Sequence, residues 1–219
     1  MSNPFDFFDK IYCISLPEHE ERWVQALEEF EKADIVDRVE QIYSPRPHAT
    51  CKMSGYKYPI GEFGCWMSHG KTIVTAIASG AENVLILEDD VVFVDDVHEV
   101  LSQSIADLPD DWDIFFLGGV PTQSMTQSDT SVIKTGKFLT TIGYAVPKRS
   151  LLNLYNVWSD ITAVRVPLAD GVTSRFSQQY NGYAAYPYVC YQRPGFSVIR
   201  NQSRNYKKRL DIHWSTHLK

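Results

Sequence analysis

Residues 83–94 read N-V-L-I-L-E-D-D-V-V-F-V, and no other stretch of the chain narrows the fold as far. Val84 to Leu87 is an unbroken apolar run, so both faces of the segment require burial, as in a central strand of a mostly parallel sheet. Three carboxylates, Glu88, Asp89 and Asp90, follow at once. Ligands of open α/β sheets bind in the crevice outside the carboxyl ends of the strands, which is where these acids stand. With an extended backbone, Glu88 and Asp90 point to one side and Asp89 to the other. Adjacent carboxylates repel one another at low dielectric, and an oxygen-ligated cation such as Mn²⁺ or Mg²⁺ is a natural partner that would in turn hold a diphosphate. Glu88 and Asp90 are the expected metal ligands. Helix capping suits the acids less well, because residues 91–94 separate them from the next helical pattern, which has Asp95 and Asp96 for that duty.

A chain of 219 residues with 44% hydrophobic and 22% charged residues has the composition of a globular protein, and with no linker in view it reads as one domain, 1–219. No apolar run approaches the length of a membrane span. The first ten residues carry Asp6 and Asp9 without a basic region ahead of an apolar stretch, so they do not read as a secretory signal, and cytoplasmic residence is the default expectation. Cys13, Cys51, Cys65 and Cys190 lack C-x-x-C spacing, which indicates neither zinc nor a disulfide framework. A net charge of −6 argues against nucleic acid as a partner. The charge is unevenly placed, however: from residue 193 a basic tail carries Arg193, Arg200, Arg204, Lys207, Lys208, Arg209 and Lys219 against Asp211 alone. That end suits the diphosphate, an anionic acceptor or peripheral contact with a membrane surface, with a solvated tail as the plain alternative. Arg200 and Arg204 are the favoured phosphate contacts, since arginine binds phosphate bidentately.

The remaining pattern is α/β. Residues 10–16 read as a first strand, 17–33 as an amphipathic helix with Trp23, Ala26, Leu27 and Phe30 on one face, and 37–43 as a second strand, a β-α-β opening. Residues 44–60 carry Pro45, Pro47, Gly55 and Pro59 and read as an irregular loop. A helix from Gly61 places Cys65, Ser68, His69, Thr72, Ile73, Ala76 and Ile77 on one face, with Gly80 as its stop. Ser68 and His69 invite a nucleophile-and-base reading, but no acid partner is visible and a structural role is the simpler one. Beyond the acids, 96–108 is a helix, 112–117 a strand broken by Gly118-Gly119, 121–135 a polar loop fit to cover a site, and 137–146 a strand in which Gly143 permits close approach. Helices follow from Pro147 and from Asp170, then a tyrosine-rich strand over 183–191. There is neither a G-x-G-x-x-G after the first strand nor a Walker lysine motif, which removes the main support for dinucleotide and P-loop readings.

Taken in order, I-Y-C-I-S-L…E-R at 11–22, G-E-F-G-C-W-M-S-H at 61–69, V-L-I-L-E-D-D-V at 84–91, T-I-G-Y-A-V around Tyr144 and P-L-A-D ending at Asp170 resemble glycosyltransferase family 25, the family of lipooligosaccharide and collagen-type galactosyltransferases. The resemblance implies a GT-A type nucleotide-sugar-binding fold, with a mostly parallel sheet flanked by helices. It also implies inverting transfer from a UDP-sugar to a saccharide or glycoconjugate hydroxyl, and an E-D-D block equivalent to the metal-binding D-x-D motif. By the same resemblance Ser15, Leu16, Arg22, Glu62, Ser68, His69 and Asp89 are the expected donor-site residues. Ile14-Ser15-Leu16 occupies the place of the family's usual I-N-L, and Ser44-Pro45-Arg46-Pro47 replaces its A-x-x-G block.

The chemistry agrees with this expectation. A departing nucleotide diphosphate develops negative charge that a divalent ion stabilises, and an inverting displacement needs a base on the acceptor hydroxyl. Asp170 is the candidate base, with helix N-capping as its alternative role. Two other classes compete. A non-catalytic carbohydrate- or nucleotide-binding module would keep the same sheet and acids. A metal-dependent phosphate-ester hydrolase would need further His or Asp ligands after other strands.

Overall fold

The computed structural model describes residues 3–43, 47, 51–53, 56–58, 60–123, 129–160, 169–197 and 202–217. The strands are β1 (Lys10–Ser15), β2 (Val39–Tyr43), β3 (Cys51–Met53), β4 (Tyr56–Tyr58), β5 (Asn83–Glu88), β6 (Val91–Phe93), β7 (Ile114–Pro121), β8 (Val132–Lys134), β9 (Phe138–Pro147), β10 (Gly182–Ala185), β11 (Cys190–Gln192), β12 (Gly195–Ser197) and β13 (Gln202–Arg204). The helices are α1 (Glu20–Lys32), α2 (Ile60–Ser79), α3 (Val97–Ala106), α4 (Lys148–Ser159), α5 (Ala169–Gln179) and α6 (Tyr206–His217).

Seven strands form the main sheet in the order β2-β1-β5-β9-β7-β10-β8. β2, β1, β5, β7 and β10 run one way, while β9 and β8 run against them. The sheet is thus mostly parallel, as the apolar run in β5 requires, and β5 lies inside it with Val84 to Leu87 fully buried. Alternate residues of each strand feed two cores. Tyr12, Ile86, Phe116 and Tyr144 pack with α2, α4, α5 and α6 on one face. Ile11, Cys13, Leu85, Leu87 and Phe115 pack with α1 and α3 on the other. This is the period-two alternation of a sheet covered on both sides.

The antiparallel strand β9 is the feature that local periodicity does not reveal. Inserted between β5 and β7, it brings its beginning, Phe138 to Thr141, to the carboxyl ends of both neighbours. Leu87 pairs with Gly143 and Gly118 also pairs with Gly143, so three elements converge closely there. β7 does not break at Gly118-Gly119 but runs through to Pro121, buried throughout. A Cβ on Gly118 would lie 2.0 Å from the Cys190 carbonyl oxygen, so the glycine is needed for the approach of β11 rather than for a turn. At Gly143 the close neighbour is the Cys190 thiol, 2.9 Å from where a Cβ would stand.

Other expectations are corrected. Residues 183–191 are not one strand: β10 joins the main sheet while β11 pairs with β6, with a turn holding a cis Tyr186–Pro187 bond between them. The 44–60 segment contains the β3–β4 hairpin, and the 121–135 stretch contains β8, whose Val132 and Ile133 are buried against the sheet edge. Asp96 takes the N-cap position of α3 without a side-chain cap bond, and Asp95 instead pairs with Lys32 at 3.1 Å. Ile77, expected on the buried face of α2, is 39% exposed. Gly80 does end that helix, at φ 70° in the left-handed region glycine tolerates.

The largest correction concerns the basic carboxyl end, which is not a solvated tail. It folds as the β12–β13 pair and α6, and Leu210 and Trp214, four residues apart on one helical face, are buried. Trp214 donates its indole N–H to the Gly119 carbonyl at 3.1 Å and stacks on Tyr186, while Asp211 accepts from Tyr188 O–H at 2.6 Å. The cationic side chains mask an apolar stripe that belongs to the core. Trp214→Ala is expected to cost about 3–5 kcal/mol, the loss for truncating a buried tryptophan. Lys208→Ala, at an exposed position of the same helix, should change little. Urea unfolding of the two variants checks this, and equal midpoints would mean that α6 is not part of the cooperative unit.

Candidate active site

The three acids leave β5 in different directions because the chain turns there. β5 ends at Glu88, Asp89 and Asp90 form a turn, and β6 begins at Val91. The expected alternation therefore fails at Asp90: Arg22, two residues into α1, reaches both aspartates with the same nitrogen, Nη2, at 2.5 Å from Asp89 Oδ1 and 2.8 Å from Asp90 Oδ2. Burial opposes a charge on Arg22, but Asp90, Asp89 and Glu88 together outweigh it and hold the guanidinium more firmly protonated than usual. Ser15, the last residue of β1, hydrogen-bonds Asp89, and the Asp89 N–H donates to the Ile14 carbonyl at 3.1 Å. The Gln192 amide donates to Asp90 Oδ2 at 2.8 Å. Asp90 Oδ1 is buried with no partner among the described residues.

Glu88 has its own set of partners. Thr141 donates to Glu88 Oε1 at 2.5 Å, and His69 Nε2 lies 3.3 Å from the same oxygen. His69 is fully buried on α2, with Nδ1 at 3.0 Å from the Tyr144 hydroxyl and its ring stacked on that of Tyr144. A carboxylate can only accept, so Nε2 carries the hydrogen toward Glu88, while Nδ1 bonds the Tyr144 hydroxyl. Burial and the nearby Glu88 charge keep that phenol protonated. His69 thus orients Glu88, and the acid partner not visible in the sequence comes from the neighbouring strand. Ser68 does not join it: its hydroxyl donates back to the Gly64 carbonyl at 2.6 Å within α2.

These surroundings divide three consecutive acids. Burial would raise Glu88, but the His69 and Thr141 bonds and Arg22 overcome that and lower its pKa. Burial dominates at Asp89, and with Asp90 and Glu88 close by it overrides Arg22 and pushes the carboxyl up to about 7. Asp90 is raised for the same reasons, burial first. Cys65 reports how far the cluster extends: burial and then the fields of Glu88, Asp170, Asp90 and Glu62 push its thiol up. Asp170, in the first turn of α5, and the buried Glu62 therefore lie near enough to Cys65 for their charges to act on its thiol, although both are remote from β5 in sequence.

An oxygen-ligated divalent ion fits these residues. Asp90 Oδ1 is a buried carboxylate oxygen without a partner among the described residues, next in sequence to two more carboxylates. Cys65, His69 and Glu88 also hold donor atoms within 4.8 Å of one another, but the thiol is kept protonated and the imidazole N–H is directed at Glu88, so carboxylate oxygen is the donor that is ready. Of the other expected donor-site residues, Leu16 is half-buried just beyond β1, Arg204 lies on β13, and Arg200 is outside the described residues. Thr141, Tyr144 and Gln192 were not anticipated. The first two lie within the T-I-G-Y block, whereas nothing local marks Gln192.

The raised acids give a pH dependence of definite sign. Asp89 in the fold holds its proton up to about 7, while the unfolded chain releases it near 3.9, so between these values the native state binds more protons and stability falls as pH rises. The slope contributed is at most about 1.4 kcal/mol per pH unit. Asp90 acts in the same direction. Glu88, being lowered, contributes only below the usual carboxylate range. Urea unfolding in chelator from pH 4.5 to 7.5 should show the decline, and Asp89→Asn should flatten it. A stability that climbs across this window would contradict the burial of these acids.

Comparison with known proteins gives the chain a family. The profile of glycosyltransferase family 25 (LPS biosynthesis protein) matches residues 3–149. Among curated proteins, human "Inactive glycosyltransferase 25 family member 3" is 30% identical over 129 residues, covering 51% of this chain and 22% of that protein. The bovine "Probable inactive glycosyltransferase 25 family member 3" is 27% identical over 156 residues, covering 63% and 26%. The chain thus spans about a quarter of the length of these relatives. Among solved structures, a glycosyltransferase involved in the glycosylation of the major capsid of PBCV-1 superposes with a TM-score of 0.51 at 14% identity, over 93% of this chain and 98% of that one, a likeness of fold. Among the described residues no helix is long and apolar enough to cross a membrane. With the family profile matched across most of the chain and the acids at the end of β5 standing within the matched region, the chain belongs to glycosyltransferase family 25.

Proposed function

We propose that the protein is a metal-dependent inverting glycosyltransferase that moves a hexose, galactose or a close relative, from a UDP-sugar to a hydroxyl of a saccharide or glycoconjugate. The observation that carries this reading is the Glu88–Asp90 cluster at the end of β5, inside the residues the family profile matches, in which Asp90 Oδ1 is buried without a partner among the described residues. Glu88, oriented by His69 and Thr141, and Asp90, oriented by Gln192, are the residues that would hold Mn²⁺ or Mg²⁺. Bound there, the ion supplies positive charge for the leaving diphosphate. Arg22 already sits against both aspartates and offers a guanidinium for phosphate as their charge is taken up elsewhere. Asp170 accepts the proton of the acceptor hydroxyl as its oxygen bonds to the anomeric carbon. The bond from that carbon to the diphosphate breaks, and the electron pair leaves with the nucleotide.

A second reading, a nucleotide-sugar-binding module without turnover, draws on the curated relatives, which are named inactive. Two variants distinguish the readings. Asp90→Asn is expected to abolish Mn²⁺-dependent UDP binding in calorimetry while the metal-free fold is as stable as the parent or more so, because a buried acid with a raised pKa is removed. Asp170→Asn should retain UDP binding and lower the transfer rate by about 10²–10⁴, the usual contribution of a general base. A parent protein that binds UDP with Mn²⁺ but neither transfers nor hydrolyses any donor in a UDP-sugar panel would favour the binding module. Metal-dependent binding that survives in folded Asp90→Asn would remove the ligand assignment.

A further inference from the structure

Cys65 and His69 stand four residues apart on α2 and so share one helical face, which meets the end of β5 at Glu88. A thiol, an imidazole and a carboxylate are thereby gathered, with donor atoms that all lie within 4.8 Å of one another. Around a tetrahedral Zn²⁺, with bonds of about 2.0–2.1 Å to nitrogen and oxygen and about 2.3 Å to sulfur, ligand atoms sit about 3.3–3.6 Å apart. His69 Nε2 and Glu88 Oε1 are already 3.3 Å apart. The thiol has to close by no more than about 1.3 Å, the difference between the two spacings. Spacing in the sequence does not announce this set, because its third member arrives from another element.

The surroundings suit a metal-bound histidine and thiolate. When an ion takes the Nε2 lone pair, the ring hydrogen resides on Nδ1, and the Tyr144 hydroxyl oxygen, 3.0 Å away, accepts it. Such an outer bond fixes the tautomer and the direction of a ligating imidazole. Thr141 steadies the carboxylate by donating to the same Oε1. His69 is fully buried, whereas the Glu88 side chain is 20% exposed and Cys65 is half-buried, so an ion reaches the set from the Glu88 and Cys65 side. Burial and the charges of Glu88, Asp170, Asp90 and Glu62 keep the metal-free thiol protonated. The same negative field attracts a divalent cation, and a coordinated thiol gives up its proton outright, here to solvent. Mn²⁺ and Mg²⁺ prefer oxygen and leave that proton in place, whereas Zn²⁺ and Cd²⁺ take thiolate readily.

We infer that Cys65 Sγ, His69 Nε2 and Glu88 Oε1 form a second cation site, one for Zn²⁺ or a similar thiophilic ion, separate in its donor set from the carboxylate site at Glu88 and Asp90. Glu88 is common to both, so an ion held by the thiolate withdraws it from the other, and Zn²⁺ opposes Mn²⁺. That opposition rests on the glycosyl-transfer reading, whereas the binding itself does not. Titration of the full chain with Cd²⁺, followed by the ultraviolet thiolate-to-metal charge-transfer band, tests the binding without any substitution. One equivalent should bring the band to its plateau in the parent. Cys65→Ser should lose it, and Cys51→Ser and Cys190→Ser should keep it. By calorimetry Tyr144→Phe should weaken Zn²⁺ about ten- to hundredfold, the usual loss for an outer partner of a ligating histidine, and Cys65→Ser should weaken it further. Zn²⁺ should also raise the Mn²⁺ concentration needed for UDP binding in the parent but not in Cys65→Ser. A parent without the band, a band that survives in Cys65→Ser, or equal Zn²⁺ affinity in parent and Cys65→Ser would overturn the site. A parent that shows the band yet binds no UDP with Mn²⁺ would overturn the proposed function and leave this site standing.

Discussion

The structure depends on a repulsion that is only partly relieved. Three consecutive carboxylates end a strand buried on both faces, where water cannot screen them, and the fold answers with one guanidinium and several hydrogen bonds. Arg22 is shared between Asp89 and Asp90, while Glu88 is served separately by His69 and Thr141. Glu88 is consequently held ionised and the two aspartates are held toward their protonated forms. Among the described residues Asp90 Oδ1 has no partner, a cost that burial does not offset.

The antiparallel β9 gives this cluster its surroundings. Its entry between β5 and β7 supplies Thr141 and Tyr144 to the acids. The same insertion requires Gly118 and Gly143, because Cys190 on β11 packs where their side chains would be. β11 continues to Gln192, which donates to Asp90.

Sequence and tertiary structure contributed to different parts of this picture. The apolar run of β5 leaves no stable alternative to a central strand, and the helical spacing of Ala26 and Phe30, or Val97, Val100 and Leu101, already fixes which faces of α1 and α3 are buried. The acids, Arg22, His69 and Asp170 were all legible as residues of interest, through strand-end chemistry or through the family's motif blocks. Their partnerships were not. Whether Asp90 points with Glu88 or with Asp89 depends on a turn that two aspartates do not specify, and the partner that decides it, Arg22, lies on a helix packed against the opposite face from His69. The link from Gln192 to Asp90 spans 102 residues, with no periodicity that could record it. α6 was misread because composition counts charges, whereas docking is decided by Leu210 and Trp214 meeting the core. The sequence by itself determined the buried strand, its acids and the family, since these follow from local pattern. Only the tertiary structure decided the direction of each acid and the partners it meets, since these follow from backbone packing between segments distant in the chain.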